Sequence, residues 1–182
     1  MLNIPNLLSL IRVLLIPFFC VVYLNAKNQT MFLFAALILL VSALTDILDG
    51  YIARKYHKIT ELGKLLDPLA DKLTQGAVCI CLSIVNKKLT FLLALFMIKE
   101  LLMVAGGLKL MKQGAVIPGS KWFGKLATTV FYIVMLVIVF FYQIPDSWLF
   151  ALISIAAAFM LLAFILYIPQ YITINKQTKQ GK

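Results

Sequence analysis

The chain has 182 residues, of which 63% are hydrophobic and 13% are charged, with a formal net charge of +10 at pH 7. Soluble domains are about half apolar and about a quarter charged, so this composition excludes an ordinary soluble domain and indicates an integral membrane protein. The basic residues are spread over loops between apolar runs, which favours contact with membrane lipid headgroups and argues against nucleic acid binding.

Six apolar runs follow one another along the chain, and each is long enough for a membrane span of about 20 residues. Because unpaired backbone groups cannot cross lipid, we expect all six to be helices. This predicts an all-α, polytopic integral membrane protein with six transmembrane helices in a single domain, residues 1–182. The expected spans are 5–24, 30–56, 62–84, 89–112, 122–142 and 147–172.

Lysine and arginine are unevenly distributed between the two sets of loops. If the N-terminus is cytoplasmic, eleven of these residues fall in cytoplasmic loops and the C-terminal tail, against three (Lys27, Lys87 and Lys88) on the opposite side. Cytoplasmic loops of membrane proteins are enriched in positive residues. We therefore expect a multi-pass protein of the cell membrane with both termini on the cytoplasmic side.

Four aspartates stand in otherwise apolar sequence: Asp46, Asp49, Asp67 and Asp71. A charged side chain near the bilayer centre costs about 2.5–3.5 kcal/mol on insertion scales, so four carboxylates together require a neutralising cation. Each pair has a spacing of three or four residues and so lies on one face of its helix. The polar turn between the pairs predicts an antiparallel hairpin with Asp49 level with Asp67, and Asp46 level with Asp71. The cluster is expected near the cytoplasmic side.

Carboxylates without accompanying cysteine or histidine are the ligands of hard cations such as Mg²⁺ or Mn²⁺. The cluster therefore predicts a metal site for one or two ions, and a pair of metal ions is a known arrangement for phosphoryl chemistry. Acidic clusters inside membranes also occur in cation transporters, which are expected to have discontinuous helices or inverted repeats. Neither is visible in this sequence, so a divalent-cation transporter is the less favoured alternative.

Small residues continue the helix face of Asp46, with Gly50 and Ala53 four and seven positions after it. A face of this kind leaves room for a flat ligand against the backbone, and Arg54 beside it offers forked donors to a phosphate. The alternative is that Gly50 and Ala53 serve close helix–helix packing. The residues alone leave both interpretations open.

Residues 46–71 read D-x2-D-G-x2-A-R-x8-G-x3-D-x3-D, which resembles the signature of the CDP-alcohol phosphatidyltransferase family. The resemblance implies that the hydroxyl of a small alcohol attacks the β-phosphorus of CDP-diacylglycerol and releases CMP, with a divalent cation required. It implies a metal site formed by Asp46, Asp49, Asp67 and Asp71. Asp71 would also be the general base. It implies that the CDP-lipid lies against Gly50, Ala53, Arg54 and Gly63. A homodimer is expected from the resemblance alone.

The opening of the chain, N-I-P-N at residues 3–6 followed by Arg12, resembles that of the bacterial phosphatidylglycerophosphate synthase subgroup. Members of this subgroup use glycerol 3-phosphate, a dianion that needs a cationic pocket. The candidate residues for binding its phosphate are Arg12, Lys99, Lys121 and Lys125. The alternative for each of them is that its charged end reaches the lipid headgroups.

Two positions depart from the pattern of that subgroup. Lys99-Glu100 stands where Arg-Glu is usual, and Ala127 replaces the second lysine of a Gly-Lys-x-Lys-Thr segment. A lysine keeps the charge of an arginine but not its forked geometry, so phosphate binding is expected to differ. The alternative acceptors are phosphatidylglycerol (as in the cardiolipin synthases of the family), an inositol phosphate and serine.

Overall fold

The computed structural model describes residues 4–55, 61–114, 121–141 and 143–180. These residues form helices and turns and include no strand. The helices are α1 (Ile4–Leu24), α2 (Gln29–Lys55), α3 (Glu61–Val85), a 3-10 helix (Lys87–Leu89), α4 (Thr90–Lys112), α5 (Trp122–Phe140) and α6 (Asp146–Gln180). Each of the six α-helices is long and apolar enough to cross a membrane. The predicted all-α, polytopic fold is therefore confirmed for the described residues.

The largest difference from the predicted spans lies at the end of the chain. The sixth helix was predicted to end at residue 172, but α6 continues to Gln180 and passes through Pro169. Residues 173–180 are mostly polar, and hydropathy reports only the apolar part of a helix. The lysines and glutamines of this segment are good helix formers, which accounts for the extension.

The helices divide into two compact units. The first unit comprises the described residues of Met1–Thr90 and Met135–Pro145, and thus contains α1, α2, α3 and the end of α5. The second comprises those of Phe91–Val134 and Asp146–Lys182, with α4, most of α5 and α6. Within the first unit, Gln29 Nε2 donates a hydrogen bond to the carbonyl oxygen of Phe140 at 2.8 Å, which ties the start of α2 to the end of α5.

In the first unit, α1 packs against both α2 and α3. The C-terminal half of its buried face is apolar: the rings of Phe19 and Tyr23 stack with centroids 5.5 Å apart, and Phe32 of α2 meets Tyr23 edge to face. The N-terminal half of the same helix is different, because its buried side chains are polar. This polar half positions the candidate site.

In the second unit, glycines allow α6 to approach its neighbours. A Cβ added at Gly106 of α4 would lie 2.9 Å from the ring of Tyr171, whose hydroxyl donates to the carbonyl oxygen of Met103 at 3.3 Å. A Cβ added at Gly124 of α5 would collide with the hydroxyl of Tyr167. Both tyrosines of α6 therefore require a hydrogen atom in place of a side chain opposite them.

Candidate functional site

The polar half of α1 consists of Asn6, Ser9 and Arg12, which are spaced three residues apart and so share a helix face. Their exposed fractions are 2%, 1% and 0%, respectively. A buried guanidinium is strongly destabilising unless it is paired with an opposite charge. The partners of Arg12 therefore locate the centre of this polar region.

Arg12 is paired with two carboxylates of α2. Its Nη1 atom lies 2.6 Å from Oδ1 of Asp46, and its Nη2 atom donates to Oδ2 of Asp49. Asp49 is buried, whereas Asp46 is partly exposed. The planar fork of one guanidinium thus contacts both carboxylates of the pair that are three residues apart on α2.

Ser9 connects the carboxylates of α2 and α3. Its Oγ atom donates to Oδ1 of Asp67 and lies 3.4 Å from Oδ2 of Asp49. A hydroxyl carries a single hydrogen, so Ser9 donates to one of these two carboxylates at a time. One serine of α1 is therefore within reach of an aspartate from each of the other two helices.

Asp71 is held by a residue of its own helix. Nε2 of Gln75 lies 3.0 Å from both Oδ1 and Oδ2 of Asp71, one turn earlier on α3. Gln75 is buried. An amide that contacts both oxygens fixes the plane of the carboxylate without neutralising its charge.

The four carboxylates are electrostatic neighbours. Asp46 interacts with the charges of Asp67 and Asp71, and Asp49 interacts with those of Asp46 and Asp67. Like charges at this range repel, and the positive charge of Arg12 offsets part of that repulsion for the α2 pair. The electrostatic repulsion among these carboxylates therefore favours the binding of a cation in this region.

The donor chemistry of the region fits a hard divalent cation, because all four charged oxygen donors are carboxylates, carried by two helices that both pack against α1. In the arrangement described, however, no group of three or more acidic, histidine or cysteine side chains within residues 4–55, 61–114, 121–141 and 143–180 is placed to hold a metal ion. Two of the carboxylates are turned toward Arg12 instead.

The residues predicted to bind the CDP-lipid lie on α2 and α3. Gly50 is partly buried in α2 and Gly63 is buried in α3. The backbones of Ala53 and Arg54 belong to α2, but their side chains lie outside the described residues, as does the turn at 56–60.

The three lysines predicted to bind the acceptor lie in the second unit. Lys99 is partly buried, and its Nζ atom is 2.6 Å from Oε1 of Glu100. Lys121 and Lys125 are exposed, at and just after the start of α5. These two lysines are one turn apart, with the backbone nitrogen of Lys125 donating to the carbonyl oxygen of Lys121 at 3.1 Å.

Sequence reasoning missed three residues of the site, namely Asn6, Ser9 and Gln75. The signal was present, because Asn6 and Ser9 precede Arg12 at helical spacing and Gln75 follows Asp71 by four residues. Polar residues that share a helix face with a charge inside a membrane span are candidates for its partners.

Comparison with known proteins gives a match over most of the chain. The sequence model described as "CDP-alcohol phosphatidyltransferase" matches residues 2–171. This confirms the resemblance that was inferred from residues 46–71.

Curated relatives match a shorter stretch. The protein named CDP-diacylglycerol--glycerol-3-phosphate 3-phosphatidyltransferase from Rickettsia bellii is 44% identical over 81 residues, which are 44% of this chain and 44% of the relative. The protein of the same name from Escherichia coli strain K12 is 50% identical over 70 residues, 38% of each chain. The matched part of this chain thus spans less than half the length of the curated relatives.

Proposed function

Because the chain belongs to the CDP-alcohol phosphatidyltransferase family, we propose that it transfers a phosphatidyl group from CDP-diacylglycerol to glycerol 3-phosphate and releases CMP. The observation that carries this proposal is the set of four neighbouring aspartates on α2 and α3, in register with the family signature. Of these, Asp46, Asp49 and Asp67 contact Ser9 or Arg12 of α1. The names of the Rickettsia and Escherichia relatives support the choice of acceptor.

The proposed metal ligands are the four carboxylates, Asp46, Asp49, Asp67 and Asp71. One or two Mg²⁺ or Mn²⁺ ions bound there would neutralise the diphosphate of the CDP-lipid and stabilise the charge on departing CMP. The carboxylate-only donor set and the repulsion among the four charges support this assignment.

The proposed general base is Asp71. The hydroxyl oxygen of glycerol 3-phosphate forms a bond to the β-phosphorus, its proton passes to Asp71, and the bond from that phosphorus to the oxygen of CMP breaks. A carboxylate is a weak base at neutral pH, so its orientation toward the acceptor hydroxyl matters. The two contacts from Gln75 hold the carboxylate plane and support this role.

The cytidine and diphosphate are proposed to lie against Gly50, Ala53, Arg54 and Gly63. Gly50 directly follows the buried Asp49 and is itself only partly buried, so ligand atoms can approach the backbone there. The phosphate of the acceptor is proposed to be bound by Arg12, Lys99, Lys121 and Lys125. Their charge and the resemblance of the chain's opening to the glycerol 3-phosphate-using subgroup support this part of the proposal.

The proposal includes an orientation with both termini and the active site on the cytoplasmic side of the cell membrane. The bias of eleven basic residues against three supports it. A homodimer is also proposed, on family resemblance alone. A transporter is disfavoured, because all six spans are continuous helices over the described residues, including α3 at Pro68.

The test uses purified protein reconstituted with CDP-diacylglycerol and Mg²⁺ or Mn²⁺. Glycerol 3-phosphate, phosphatidylglycerol, an inositol phosphate and serine are offered at equal concentration, and the lipid product is identified by mass spectrometry. We expect phosphatidylglycerophosphate as the main product. Another lipid product would keep the family chemistry and overturn the acceptor, whereas ion flux without CMP release would indicate a transporter.

A further inference from the structure

Arg12 supplies positive charge to the carboxylates that are proposed to bind the metal ion. Its guanidinium contacts Asp46 and Asp49, and its side chain is completely buried. Both carboxylates are among the proposed metal ligands. The guanidinium is therefore bound to two carboxylates that a divalent cation would also need.

The contacts of Arg12 are incomplete. Over the described part of the chain, Nη1 of Arg12 lies 2.6 Å from Oδ1 of Asp46, whereas Nε has no hydrogen-bond partner. A buried donor without an acceptor is destabilising relative to a satisfied one. The carboxylates of α2 therefore leave Nε of Arg12 without an acceptor among the described residues.

The arrangement of the carboxylates also indicates that Arg12 and a metal ion compete for them. Within the described residues no three acidic side chains are placed to hold a metal ion, while two of the four aspartates are turned toward Arg12. Two cations bound to the same two carboxylates lie close together and repel each other. Binding of one must weaken binding of the other.

We propose that Arg12 and the divalent cation are alternative partners of Asp46 and Asp49. The guanidinium neutralises these carboxylates while no metal is bound, and it leaves them when the metal binds. This inference rests on the proposed function, which assigns Arg12 to the acceptor phosphate. The exchange explains how a residue paired with aspartates becomes available to an anion, and it places metal binding before acceptor binding.

The first experiment measures metal affinity without any substrate. Protein freed of metal in detergent is titrated with Mn²⁺, and free Mn²⁺ is measured by electron paramagnetic resonance for the wild type and Arg12→Gln. Removing a competitor that holds most of the sites should tighten the apparent Kd by about tenfold or more. The matched control is Lys27→Gln, which removes one positive charge from an exposed turn and should bind Mn²⁺ as the wild type does.

An unchanged or weaker Mn²⁺ affinity in Arg12→Gln would overturn the exchange, because Arg12 would then support the metal or be irrelevant to it. Absence of Mn²⁺ binding in both proteins would overturn it as well. The proposed function fails by a different readout, namely absence of lipid product from CDP-diacylglycerol with every acceptor, so the two failures are distinguishable.

The second experiment needs no variant in the measured sample, and so it remains informative if Arg12→Gln does not fold. The chain contains two arginines, Arg12 and Arg54, so protein labelled with ¹⁵N-arginine gives two Nε signals. Arg54→Lys assigns them, because the signal that remains belongs to Arg12. We expect the Arg12 signal to move during a Mg²⁺ titration with the midpoint of metal binding. An Arg12 signal that stays fixed at saturating Mg²⁺ would show that the guanidinium does not leave, and would overturn the exchange.

Discussion

Nε2 of Gln75 lies 3.0 Å from each carboxylate oxygen of Asp71, one helical turn apart on α3. A single amide donor shared between both oxygens restricts rotation of the carboxylate about its Cβ–Cγ bond. For a general base, this restriction sets the direction in which a lone pair points. With Asp71 as the proposed general base, we expect Gln75 to act as a positioning residue through Asp71.

Replacing Gln75 by Leu should lower kcat by about ten- to a hundredfold, because a misplaced base loses much of the benefit of a fixed orientation. The KM for CDP-diacylglycerol should change little. Thr74→Val is the matched control, since the Thr74 hydroxyl donates to the backbone carbonyl of Ala70 and not to a carboxylate. Steady-state kinetics separate the two parameters, and an equal effect of both variants on kcat would remove the positioning role.

Ser9→Ala should destabilise the metal-free protein by about 1–3 kcal/mol, because Asp67 loses a buried hydrogen-bond donor. The matched control is Ser42→Ala, whose buried hydroxyl has no hydrogen-bond partner over the described part of the chain. That change should be neutral or slightly stabilising. Unfolding of both variants in detergent, followed in the presence of a metal chelator, provides the comparison. Equal stability of the two would mean that the bridge from Ser9 contributes nothing.

Gly50→Leu should abolish binding of the CDP-lipid while the protein remains folded and inserted, because the side chain fills the space proposed for the nucleotide. If Gly50 instead serves helix packing, the variant should lose stability. Gly106→Ala is the comparison, since its Cβ would meet the ring of Tyr171 at 2.9 Å and should lower stability without affecting CDP-lipid binding. Thermal unfolding with and without CDP-diacylglycerol distinguishes the cases, and a folded Gly50→Leu that binds the lipid normally would contradict the proposed nucleotide position.

Neutralising a cation that binds the acceptor phosphate should raise the KM for glycerol 3-phosphate more than that for CDP-diacylglycerol. Lys99→Gln should have the larger effect, about 2–5 kcal/mol for a desolvated charge, and Lys125→Gln less than about 1 kcal/mol because it is exposed. Lys176→Gln, an exposed lysine of α6, is the control. A rise in both KM values together would indicate a general loss of folding or of charge, not loss of an acceptor contact.

The sequence was sufficient to predict the six helices and the position of the charged residues along them, but not the contacts of α1. Hydropathy and the spacing of Asp46, Asp49, Asp67 and Asp71 predict which helices bear carboxylates, since both are local properties. Which helix faces them is a tertiary property. For that reason the pairing of Arg12 with Asp46 and Asp49 was not foreseen.

The length of α6 was underestimated for a related reason. A helix that continues beyond the apolar run loses the hydropathy signal, while its backbone hydrogen bonds persist. Gln75 and Ser9 are uncharged, so hydropathy does not single them out, and their role depends on which carboxylate lies within hydrogen-bonding distance in the folded protein.

The most direct measurement is the yield of CMP and phosphatidylglycerophosphate from CDP-diacylglycerol and glycerol 3-phosphate with Mg²⁺. Wild-type protein is compared with the single variants Asp46→Asn, Asp49→Asn, Asp67→Asn and Asp71→Asn. The control is Asp146→Asn, at the start of α6 and outside the signature segment.

We expect the wild type and the control to turn over at similar rates, each releasing one CMP for every lipid molecule formed. Each of the four variants should be slower by at least about a hundredfold, because each loses a metal ligand or the base. Asp71→Asn should keep its affinity for the CDP-lipid. Near-normal turnover in Asp46→Asn or Asp67→Asn would contradict a shared metal site, and no lipid product from the wild type would contradict the proposed transfer itself.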